Sequence, residues 1–309
     1  MTAELHNNPN ATSEHESTIS QYRVVDKEGN PTPPVIKLLD ILQLPHDGTL
    51  DGIVAITQEK FFQRNQEGQR KERWELEEVM PEFRIEAIPV LDRLGMLREI
   101  PPSNNQYDGA LMFGALVTKV RTRLAYQKEL WKKGVRFNEL IFLGGERPLA
   151  ESGRETPDIL YNRLNRDLPI RRDWKPQSEV PTTELGMMEL VWDQADLPED
   201  LRNVKIKWIN APMKPNPKGG RPLRPTTEDT LIIWLENSHP KDNYLAISNN
   251  PHIGYQHSVL ETYLPKSINV ETVGHRASLG LPMAFYLGEF ARWLYQEKQR
   301  LSTSGVEQL

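Results

Sequence analysis

From residue 107 onward, short apolar runs alternate with longer amphipathic stretches, and each run closes on glycine or small polar residues. The runs at 107–115 (YDGALMFGA), 140–147 (LIFLGGER) and 244–252 (YLAISNNPH) show the pattern most plainly. Apolar runs of this length bounded by turn residues read as buried strands, and the stretches between them carry the 3.6-residue period of helices. The pattern predicts strands at 109–114, 139–144, 204–209, 244–248 and 269–273. Helices are predicted at 117–133, 183–195, 226–236, 251–263 and 283–300. Such alternation specifies α/β architecture: a Rossmann-like three-layer sandwich with a parallel sheet of about five strands. The expected strand order is 3-2-1-4-5, with a ligand crevice outside the strand carboxyl ends, where strands one and four diverge.

Upstream the periodicity weakens. Residues 35–44 and 83–95 carry apolar positions at helical spacing, although Pro89 is expected to kink or shift the second helix. Between them, 61–78 interleaves Arg and Lys with Glu and reads as a solvated helix rather than a nucleic-acid surface. The chain therefore divides into a disordered tail (1–34), an N-terminal helical extension (35–106), a Rossmann-like domain (107–300) and a flexible C-terminus (301–309). The extension is expected to cover an edge of the domain or the mouth of its site.

Composition narrows the class. The 309 residues are 38% hydrophobic and 26% charged, enough apolar material for one large or two modest cores. Residues 1–34 are polar and carry no signal-peptide run. No stretch approaches the roughly eighteen apolar residues of a membrane span, and a formal charge of −5 gives no general affinity for nucleic acid or anionic membranes. A cytoplasmic location is the default expectation. With no cysteine, disulfides, thiolate catalysis and Cys-based zinc sites are excluded.

The candidate chemistry gathers at predicted strand ends. His252 follows strand four, where Asn250 and Pro251 suit a helix start; it is a candidate for acid–base work, or else it hydrogen-bonds locally while Ser248 and Asn249 complete the turn. Glu146 and Arg147 follow Gly144 and Gly145. The glycines permit close backbone approach and the charged pair suits a base and an anion clamp; the alternative is a turn with a surface ion pair. Thr183 with Glu184, and Thr226 and Thr227 with Glu228, suit helix capping and, by their position, ligand contact. The loop 211–225 carries Lys214, Lys218, Arg221 and Arg224 without a carboxylate, and 146–182 adds Arg147, Arg154, Arg163, Arg166, Arg171 and Arg172. Converging above the strand ends, these charges would favour a small anionic ligand, or else they are solvated connectors. His275 and Arg276 after strand five would complete the anion site or lie exposed. No phosphate-cradling G-x-x-x-x-G-K-[ST], G-x-S-x-G elbow, H-E-x-x-H or dinucleotide fingerprint is present, and His252 and His257 are five apart, off the spacing of paired helical metal ligands. No metal site is expected.

The ordered series 108–115, Arg123-Leu-Ala125, 130–134, Leu143-Gly-Gly145, Thr183-Glu184, Thr226-Thr-Glu228 and 248–252 resembles the YdcF- and SanA-like family, domain of unknown function 218, over about residues 107–275. The resemblance implies a Rossmann-like fold and a ligand or cofactor that is S-adenosylmethionine or a nucleotide. It also favours a site role for Gly114 and for Arg123, which otherwise reads as an exposed helix charge. The chain departs from the family in lacking a membrane anchor, in the insertion after strand two, and in Gln256 where many relatives place an arginine. Two functions follow as expectations. One is a binder of an anionic small molecule, and with His252, Glu146 and Glu228 as catalytic groups a hydrolase or transferase of phosphorylated or nucleoside-containing substrates. The alternative is a non-catalytic protein that binds a protein partner through the helical extension.

Overall fold

Side chains in a parallel sheet covered on both faces are apolar at nearly every position, because neither face meets water. Strands β1 (Gln106–Phe113), β2 (Arg136–Gly145), β4 (Asn243–Asn249) and β5 (Asn269–His275) fit this rule, with buried residues running through consecutive positions. Strand β3 (Lys205–Ala211) is less buried, as an edge strand should be. In the computed structural model all pairings are parallel, in the order β3-β2-β1-β4-β5. The structure describes residues 18–65, 71–150, 153–162, 168–176, 179–217, 219–238, 240 and 242–306, with the side chains of 304–306 left out.

Alternation along each strand sorts the core into two layers. Ala110, Met112, Leu140 and Phe142 face α4 (Val117–Lys132) and α6 (Glu184–Gln194). Leu111, Phe113, Ile141 and Leu143 face α8 (Thr227–Glu236) and α9 (Ile253–Tyr263). The three-layer α/β, Rossmann-like sandwich is thus formed with helices on both sheet faces. Helix α4 stops where Gly134 takes φ +99°, a conformation that glycine adopts without steric cost. The insertion after β2 contributes the short helix α5 (Pro157–Leu160) and packs Leu160, Leu168 and Trp174 into the first layer, and α7 (Glu199–Arg202) precedes β3.

The extension builds a third core against the C-terminal helix α10 (Met283–Val306). Helices α1 (Pro33–Ile41), α2 (Leu50–Phe61) and α3 (Arg84–Arg93) supply Leu38, Leu39, Ile53, Val54, Val90 and Leu91, which pack with Tyr286, Leu287, Phe290 and Leu294. Each such side chain contributes about 1.5–3 kcal/mol of burial. Helix α3 runs through Pro89 without ending. The helix expected over 61–78 lies upstream instead, as α2, capped by Thr49 Oγ1 accepting from Gly52 N at 3.1 Å. The described part of 61–78 beyond α2 holds only a 3-10 turn, Arg73–Glu75, since its charges pair locally (Lys71 with Glu77 at 2.5 Å) and offer no apolar stripe. Two boundaries also differ. Residues 18–34, read as tail, pack Ile19, Val24 and Val25 into the protein, and α10 carries the helix beyond Arg300. Among the described residues no helix is long and apolar enough to cross a membrane.

Candidate functional site

Parallel strands direct their carboxyl ends, and the amino termini of the following helices, to one edge. There a cleft of about 260 Å³ opens between β1 and β4, at the divergence expected from the strand order. Gly114 and Ala115 form the β1 side, His252, Tyr255 and Gln256 the β4 side, and Pro225, Thr226 and Thr227 reach over from the loop after β3. Helices α4, α8 and α9 therefore begin around the cleft, which favours negative charge within it. Arg73 from the extension and Arg292 from α10 close the remaining wall.

Arg123 lies at the floor. It lies nearly two turns into α4 and reaches back under the β1 end, where Nη1 donates to the carbonyls of Phe113 (2.8 Å) and Gly114 (3.0 Å) and Nε donates to Asn249 Oδ1 (2.9 Å). The residue is 2% exposed, yet none of the described residues places a carboxylate within ion-pair distance, and Nη2 has no acceptor among them. Burial, and then the charge of Arg73, push its pKa down to about 9, so it remains cationic at neutral pH. A buried charge without a counter-ion is costly. Glu184 and Glu289 offset that charge only at a distance, and no described carboxylate pairs with the guanidinium directly.

His252 faces the same space. Its Nδ1 lies 2.8 Å from Oε2 of buried Glu289, while Nε2 is enclosed and has no partner. Burial, and then the charge of Arg73, push the imidazole down to about 3. Burial alone would raise the Glu289 carboxyl, but Arg292, His252 and Arg73 together hold it well below the usual carboxylate range. Arg73 Nη2 is 3.1 Å and Arg292 Nη1 3.4 Å from Glu289 Oε1. A neutral imidazole beside an ionised carboxylate keeps its proton on Nδ1, so Nε2 carries a lone pair without a partner among the described residues, on a side chain that lines the cleft. Ser248 Oγ donates to Gln256 Oε1, leaving the Gln256 amide nitrogen as a donor on the lining.

Of the residues named from sequence, the structure brings together Gly114, Arg123, Thr226, Thr227, Ser248, Asn249 and His252 in or directly behind the cleft. The others are elsewhere or otherwise engaged. Arg147 is no free anion clamp: it forks onto Glu155 (2.9 and 3.2 Å) and reaches Glu184 (3.3 Å), all largely buried. Glu184 stands against Gly114, where an added Cβ would come within 2.7 Å of its carboxylate, but its charge is committed to Arg147. Glu146 is exposed and accepts from Met213 N at 3.4 Å; Glu228 pairs with the Tyr263 hydroxyl. Neither lines the cleft. Thr183 Oγ1 accepts from Gly186 N and serves as a helix cap. Gly144 and Gly145 admit packing rather than a ligand, since a Cβ at Gly145 would lie 2.5 Å from Pro225 Cγ. Arg224 pairs with Glu72 (2.8 Å) and Lys214 with Asp229 (2.7 Å), so these two cations of the basic loop are spent on carboxylates of other elements. Lys218, Arg163 and Arg166 lie outside the described residues. His275 packs on the Tyr126 ring at 4.4 Å. Asn250 is not the cap of α9; its Nδ2 donates to the carbonyls of Gly95 and Arg98.

Sequence reasoning missed Glu289, Arg292 and Arg73. The Glu289–Arg292 pair at i, i+3 carries the signature of a solvated helix face, and only the docking of the extension on α10 encloses it. No cluster of three His, Cys, Asp or Glu suited to a metal occurs among the described residues. No family model, curated protein or solved structure matches the chain.

Proposed function

We propose that the chain binds a small phosphorylated molecule in this cleft and acts on it as a hydrolase or transferase, with His252 as proton acceptor. The observation that carries the reading is the buried Arg123 guanidinium, paired with no carboxylate among the described residues, sharing the cleft with His252, whose Nε2 has no partner among them. Guanidinium groups match phosphate oxygens in geometry, and Arg73, Arg123 and Arg292 outnumber Glu289 three to one. That excess disfavours the cationic sulfonium of S-adenosylmethionine and favours a nucleotide or another phosphate ester. Arg123 and the stretch 248–252, which carry the resemblance to the YdcF- and SanA-like family, surround the cleft and support that kinship alongside the function.

Calorimetric titration with inorganic phosphate and with nucleoside phosphates provides the test. Wild-type protein should bind, and Arg292→Gln should weaken binding roughly tenfold, about 1.4 kcal/mol, as expected for one charge-assisted contact. Affinity should also fall with added salt. Equal affinity of Arg292→Gln and Arg123→Gln with wild type, both folded, would refute the reading.

A further inference from the structure

Resting on the phosphate-binding reading, we propose that the bond cleaved in this cleft is a phosphoric anhydride, as in pyrophosphate or a nucleoside diphosphate, rather than an alkyl phosphate ester. The lining supplies one base and several fixed cations, and no carboxylic acid among the described residues stands ready to give a proton to a leaving group. Glu289 is ionised and shared among His252, Arg73 and Arg292; Glu184 is committed to Arg147. Glu228 and Glu146, the acids that sequence placed at the site, point elsewhere. An alkyl phosphate leaves as a strongly basic alkoxide and needs such an acid. A phosphate leaving group does not, since its second ionisation falls near pH 6 and it departs as a stable anion.

Three cations line the cleft, enough to meet the charge of two phosphoryl groups. Arg123, from α4 under the β1 end, would meet one group, and Arg73 and Arg292, from the extension and α10, the second. In the step itself, a water oxygen forms the new bond to phosphorus while its proton passes to Nε2 of His252. The bridging P–O bond breaks with its electron pair on the departing phosphate, whose charge Arg73 and Arg292 take up. The imidazolium, held by Glu289 at Nδ1, then returns its proton to solvent, so that one anhydride and one water give two phosphates. Tyr255 is the remaining weak acid on the lining and sets the competing outcome.

The test uses the full chain and measures phosphate release from pyrophosphate, ADP and glycerol phosphate, with and without Mg²⁺, beside calorimetric binding of inorganic phosphate. The anhydrides should turn over at least about 100-fold faster than the alkyl ester, the lower end of what a general acid contributes. His252→Gln should lower kcat on the anhydrides by roughly 10²- to 10⁴-fold while phosphate affinity stays within about threefold, which separates turnover by this site from a contaminant. Comparable rates on glycerol phosphate would show that an acid, such as Tyr255, serves the site and would overturn the proposal. Phosphate binding without anhydride cleavage would overturn it while leaving the binding reading intact; absence of phosphate binding would overturn both.

Discussion

At the scale of single residues, the same side-chain type takes opposite roles according to what surrounds it. Arg123, reaching back from α4, and Arg147, just after β2, both stand at the strand carboxyl edge, yet Arg147 meets two carboxylates and Arg123 meets none within ion-pair distance among the described residues. Arg147→Ala should therefore act on stability. It leaves Glu155, whose side chain is fully buried, without its cation, and removing one partner of a buried pair costs about 3–5 kcal/mol. Chemical denaturation should show that loss, while phosphate affinity of the folded fraction stays unchanged; weakened binding with intact stability would return Arg147 to the cleft. His252 was legible in the sequence because it follows the β4 end in the strand–helix alternation, whereas Arg123 was singled out only by the family resemblance and otherwise read as an exposed helix charge. The sequence did not reveal that Lys214 and Arg224 are neutralised, because their partners Asp229 and Glu72 belong to other elements, and Glu72 is 152 residues from Arg224.

At the scale of elements, the sheet and its order were legible because each strand is a short apolar run closed by turn residues, and a buried parallel strand tolerates little else. The extension was less legible. Helix α2 contains Gly52 and a mixed polar face, and its apolar stripe gains meaning only against α10. Close packing between β4 and β5 sets another element-level constraint on the site. A Cβ at Gly274 would stand 2.6 Å from the Ser248 carbonyl carbon and 2.9 Å from Asn249 N, backbone that cannot rotate aside. Gly274→Ala should cost about 1–3 kcal/mol, by overpacking. Because Asn249 orients Arg123 and Ser248 holds Gln256, it should also weaken phosphate binding. Thermal unfolding and calorimetry on the same preparation check both; an unchanged midpoint would mean that the strands can separate without cost.

At the scale of the whole molecule, three distant stretches of chain meet at the cleft: the α/β domain supplies Arg123 and His252, the extension supplies Arg73, and the last helix supplies Glu289 and Arg292. Arg73 and Glu289 are 216 residues apart, so the site is complete only when the extension has docked. Global stability should consequently report on the site through pH. His252, with an ordinary value of 6.5, is held near 3 in the fold, so between these values the unfolded chain binds a proton that the folded chain refuses. Stability is then full above about pH 6.5 and falls as acid is added through that window. His257, lowered by its burial, acts in the same direction. Glu289, held well below 4.5, adds stability that is present above its unfolded value and lost on further acidification. Urea midpoints measured at pH 7.5, 6.0 and 5.0 should decline in that order, and His252→Gln, which cannot titrate, should reduce the decline and leave the share due to His257. A midpoint that is flat across this range, or a slope that His252→Gln leaves unchanged, would mean that the imidazole is not enclosed with Glu289 and that the extension does not seal the cleft in solution.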